Sequence, residues 1–92
     1  MSIVIVGGNE CMERQYREIC KNHGCKSKVF CKYRAGMESR IGRPDLLILF
    51  THTVSHKAVH CAVSNVPHTT DIVRSHSSSQ AALQEILESY PR

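Results

Sequence analysis

Three histidines fall within one stretch of eleven residues, THTVSHKAVHC, from Thr51 to Cys61. Imidazole nitrogen and cysteine sulfur are donors that zinc and other transition metals favour. His56 and His60 stand four residues apart, which brings two side chains onto one face of a helix. His52 precedes them by a further four residues. His76 lies in a second polar stretch, RSHSSS, at residues 74–79. His56, His52, His60 and His76 are therefore the candidate metal ligands. The H-x-x-x-H spacing also occurs in zinc hydrolases, which place a glutamate directly after the first histidine as general base. Lys57 occupies that position here, so the spacing points to binding rather than to hydrolysis. A bare zinc ion needs three or four ligands. Heme needs one or two axial imidazoles and an apolar slot.

Anion binding is the alternative chemistry. Gly7-Gly8-Asn9 follows an apolar run, Thr51 and Ser55 flank the first histidines, and Arg74, Ser75, Ser77 and Ser79 surround the last. Each group precedes a helix, whose free N–H groups attract anions. A phosphate- or nucleotide-type small molecule on Gly7-Gly8 and Ser77–Ser79 would use these turns. Neither the dinucleotide fingerprint G-x-G-x-x-G nor the P-loop G-K-[ST] is present. The plainer roles are a tight turn for the glycine pair and helix caps for the serines. Cys11 and Arg17 satisfy C-x5-R, but cysteine phosphatases need a phosphate-wrapping loop there, and MERQY reads as helix. Of the five cysteines, no two form C-x-x-C, and the number is odd. They read as thiols of a reducing compartment.

The elements that would position these groups follow from periodicity. Residues 2–6 are a short β-branched run closed by glycines, the mark of a strand. A helix is expected from Asn9, as N-cap, to about His23, with Met12, Tyr16, Ile19, Cys20 and His23 on one face. Residues 26–34 alternate, with Lys28, Phe30 and Lys32 opposite Val29, Cys31 and Tyr33, which suggests a lysine-guarded edge strand. A short helix at 36–41 leads to LLILF, residues 46–50, an apolar run that requires burial on both faces. A helix at 54–64, a strand at 66–73 and a helix at 80–89 complete the chain. Strand and helix alternate four times, so the expected fold is α/β: one Rossmann-like or flavodoxin-like three-layer sandwich over residues 1–92, with a parallel sheet of about four strands. In such sheets the strand-to-helix turns share one edge, where ligands bind.

Net charge is +4. Lys26, Lys28, Lys32, Arg34, Arg40 and Arg43 make the middle basic, but stacking aromatics are few and nucleic acid is not the expected partner. The apolar run after Met1 is too short for a signal core or a membrane span, so a cytoplasmic setting is expected. So small a domain covers its edges and apolar faces with difficulty, and a homodimer is expected.

The sequence resembles a bacterial family of small Rossmann-like domains known as domain of unknown function number twenty-three twenty-five. The match rests on IVIVGG (Ile3–Gly8), on VSH (Val54–His56) after a hydrophobic strand, and on Arg74-Ser75 with Ser79 before the last helix. Thr53 stands where the family often has a cysteine. The resemblance implies the same sheet fold, a bacterial cytosolic setting and heme binding, as in some members; it implies no reaction. The combined expectation is a small non-catalytic module, sensing or regulatory, that binds heme or a transition metal through rim histidines.

Overall fold

The computed structural model describes residues 1–90. Four strands, β1 (Ser2–Gly7), β2 (Lys26–Phe30), β3 (Leu46–Phe50) and β4 (Asp71–Ser75), alternate with helices α1 (Glu13–Asn22), α2 (Met37–Ile41), α3 (His56–Asn65) and α4 (Gln80–Ser89). The strands form one parallel sheet in the order β2-β1-β3-β4. The expected flavodoxin-like sandwich is thereby observed.

Every residue of β3 is buried, because the sheet carries helices on both faces. Leu46, Ile48 and Phe50 join Ile3 and Ile5 of β1 against Tyr16, Ile19 and Cys20 of α1 and Leu83 and Leu87 of α4. Leu47 and Leu49 point the other way and pack with Val4, Val6, Met37, Ile41, Ala58 and Ala62. The two clusters are the two sides of one strand pair, separated by the period-two alternation of β structure. The buried Ala58 and Ala62, one turn apart, leave room for α3 to lie close to the sheet.

Two strands differ from the sequence expectation. β2 ends at Phe30 rather than Arg34, because its neighbour runs out: Val6 pairs with Phe30, and after Gly7 β1 turns away. β4 begins at Asp71 rather than Val66. Val66 packs with the α2–α3 cluster, and residues 67–70 form a turn in which the Thr70 N–H donates to the Pro67 carbonyl at 3.0 Å. The Thr70 hydroxyl donates to the Pro44 carbonyl at 2.6 Å, fixing the start of β4 beside the start of β3. Helix α3 starts at His56, two residues later than expected, and α1 is preceded by a 3-10 turn, Glu10–Met12. No helix among the described residues is long and apolar enough to cross a membrane.

Ile48 is wholly buried at the centre of the sheet. Ile48→Ala should destabilise the fold by about 2–5 kcal/mol, the usual cost of emptying a buried aliphatic site, measured as a lower midpoint in urea unfolding with an unchanged m-value.

Candidate functional site

In the order β2-β1-β3-β4 the chain direction across the sheet reverses between β1 and β3, and a crevice opens past their C-terminal ends. Gly7 pairs with Phe50 there, so the Gly7-Gly8-Asn9 turn and the 51–55 turn leave the sheet side by side. Both glycines have positive φ, +100° and +93°. A Cβ on Gly7 would lie 2.8 Å from the Phe50 carbonyl oxygen and 2.9 Å from Val54 Cβ; one on Gly8 would lie 2.8 Å from the Tyr16 ring. The close backbone approach that glycine permits here is to the protein's own chain.

The crevice is laced by hydrogen bonds. The Gly8 N–H donates to Thr53 Oγ1 at 2.7 Å, joining the two turns across the switch point. The buried Tyr16 hydroxyl accepts from the Asn9 N–H at 3.3 Å and donates to the Ser78 carbonyl at 2.6 Å. One phenol oxygen on α1 thus ties the first turn to the third. Sequence reading placed Tyr16 on the inward face of its helix but could not assign its oxygen. Nor could it assign Thr53, whose partner is 45 positions away.

The polar residues expected to bind a ligand are in place at this rim, and most serve local structure. Asn9 Oδ1 accepts from the Cys11 N–H at 2.9 Å. Ser55 and Ser79 are the N-caps of α3 and α4, accepting from the N–H of Ala58 and Ala82 at 3.2 and 3.1 Å. The Ser77 hydroxyl donates to the Ser79 hydroxyl, and that of Ser75 to the Ser77 carbonyl. Thr51 bonds the Ser75 carbonyl through its N–H at 2.9 Å and its hydroxyl at 3.4 Å. Arg74 is exposed, and lies within β4 rather than on the turn.

The structure brings two of the four candidate histidines together. His52 and His76, from the turns after β3 and β4, have ring centroids 5.3 Å apart at an interplanar angle of 48°. His56 opens α3 as an exposed residue, and His60 lies one turn further along it, also exposed. Among the described residues, no group of three or more His, Cys, Asp or Glu side chains could hold a metal ion. The five cysteines are unpaired thiols. Burial pushes the Cys20 thiol up to about 11, and burial, with Glu13 and Glu10 nearby, raises that of Cys31.

Tyr16→Phe keeps the packing but strips the Ser78 carbonyl of its donor and the Asn9 N–H of its acceptor. The expected loss is about 1–3 kcal/mol of stability, with faster hydrogen exchange at the Asn9 amide as the local signature.

A family model described as an uncharacterized protein conserved in bacteria (DUF2325) matches residues 2–90. The comparison with curated proteins found no match, and neither did that with solved structures. With the match spanning both glycines of the crevice and both histidines of the rim pair, the chain belongs to the DUF2325 family of bacterial proteins.

Proposed function

We propose that this domain is a sensing or regulatory module that binds a transition-metal ion at the His52–His76 pair. The observation that supports this reading is the 5.3 Å ring separation. Two imidazoles that share one tetrahedral ion through bonds of about 2.0–2.1 Å have centroids about 5.2 Å apart. The two rings come from turns that β3 and β4 hold in register, Phe50 opposite Ser75, which places the two backbones side by side. Two protein ligands leave coordination positions open. Heme, the other group suggested by the sequence, would need an apolar slot beside the imidazoles, and the exposed polar residues 51–53, 76 and 77 around the pair do not form one. A bare ion would complete its shell with solvent, a small ligand or a second copy of the chain.

Among the expected ligands, His56 and His60 take lesser places in this reading. The anion-binding alternative is less favoured, since the Ser55 and Ser79 side-chain oxygens already accept helix-capping bonds. The proposal includes a homodimer. β4 is a free sheet edge with an exposed Ile72, and its one cation is Arg74; the opposite edge strand, β2, carries Lys26 and Lys28.

The chain purified from iron-replete cells and assayed by absorption spectroscopy and metal analysis should carry metal. The expected result is loss of that metal in His52→Ala and His76→Ala, with His60→Ala close to wild type. Metal content that survives the double variant His52→Ala/His76→Ala overturns the assignment. In solution, light scattering should give a dimer mass for the wild type and a monomer mass for Ile72→Lys.

A further inference from the structure

A second site lies away from the histidine rim. The outer side of β2, from Ser27 to Phe30, forms one wall of an open cleft of about 780 Å³, bounded also by α1, the 31–35 loop and α2. Four cations line it: Arg17 from α1, Lys28 from β2, Arg34 from the loop and Arg40 from α2. One carboxylate, Glu13, shares the space and stands 3.2 Å from Arg17. The chain as a whole carries only +4, so most of its excess positive charge is gathered into one cleft. Lys28 Nζ donates to the Arg40 carbonyl at 2.7 Å, which holds α2 over the strand. Val29 is buried on the α1 face of the strand and Met37 on the α2 face, and Phe30 is half-buried.

We propose that this cleft binds a small organic polyphosphate of about nucleoside diphosphate size. A concave surface lined mainly by one sign of charge focuses its field and attracts an anion. Arg34 and Arg40 supply planar forks that match phosphate oxygens two at a time, with Lys28 and the Glu13-paired Arg17 beside them, and two forks suit two phosphoryl groups better than one. The volume falls in the range of about 300–1,000 Å³ typical of small-molecule sites. A nucleic acid strand would ask for a longer track and for exposed aromatic platforms, and Phe30, the one aromatic residue on the wall, is half-covered. The site shares none of the residues of the His52–His76 pair, so either can fail without the other.

Cys31 lines the same cleft and reports on it. Calorimetric titration of the full chain with ADP and with pyrophosphate should show binding that weakens as salt rises, whereas adenosine should give no heat. The double variant Arg34→Glu/Arg40→Glu should bind at least about tenfold more weakly, as expected for losing two charge-assisted contacts. Arg14→Glu/Lys21→Glu makes the same change in net charge elsewhere on α1 and should stay within about twofold. ADP should slow maleimide labelling of Cys31 and leave that of exposed Cys11 unchanged. Melting curves confirm that both variants fold. Equal weakening in the two double variants, no heat with pyrophosphate at millimolar concentration, or binding of a single-stranded oligonucleotide in place of the small polyphosphates overturns the proposal.

Discussion

The burial of β3 on both faces is the constraint from which the rest of this structure follows. Five consecutive large apolar side chains cannot have one wet face, so helices must cover the sheet on both sides. The chain satisfies this by sending α1 and α4 to one face and α2 and α3 to the other. With right-handed crossovers, that division requires β2 and β3 to flank β1 on opposite sides. The crevice past the ends of β1 and β3 is a by-product of covering one greasy strand twice, and so is the meeting of the 51–55 and 76–79 turns above adjacent strands.

That crevice is a filled one. In many folds of this type the glycine turn after the first strand makes room for a ligand's phosphates. Here the Tyr16 ring, the Phe50 carbonyl and Val54 crowd the same turn, and Thr53 accepts the Gly8 N–H that a phosphate would otherwise engage. The rim is consequently rigid where the turns touch, and its exposed imidazoles project from a braced platform. A larger concave space lies instead on the β2 side, where a five-residue helix folds back over an edge strand. The topological switch point and the β2-side cleft thus lie in different places.

Much of this could be read from the sequence, and what could not has a common cause. β1, β3 and α4 were clear, because burial on two faces or on one helical stripe leaves a pattern within a few residues. The limits of β2 and β4 were not, since a strand stops where its neighbour stops. The alternation of Lys28 to Tyr33 carries no trace of the turn that ends β1 at Gly7. Val66 looks like a strand residue but packs against the cluster in which α2 and α3 cover β1 and β3. At the rim, the capping roles of Ser55 and Ser79 were local and readable. The Thr53–Gly8 and Tyr16–Ser78 bonds span 45 and 62 positions and depend on register. His52 and His76 were expected at the rim because their turns follow adjacent strands, and they meet there, whereas His56 and His60, joined by helical spacing, lie exposed along α3. Lys28, Arg34 and Arg40 of the basic middle segment stay exposed, and only the return of α2 over β2, which leaves no local pattern, makes them line one concavity.

The placement of Tyr16 also decides how the molecule emits light. The chain has no tryptophan and three tyrosines, so its ultraviolet fluorescence is tyrosine fluorescence. Tyr33 and Tyr90 are half-buried, and the Tyr90 hydroxyl is bonded to Asp71. Tyr16 alone is wholly enclosed, with its phenol spanning two of the rim turns and its ring 5.4 Å from that of Phe50. An absorbing group lodged above those turns would draw excitation energy from a chromophore already built into their foundations, and occupancy of the rim could be followed without any added dye.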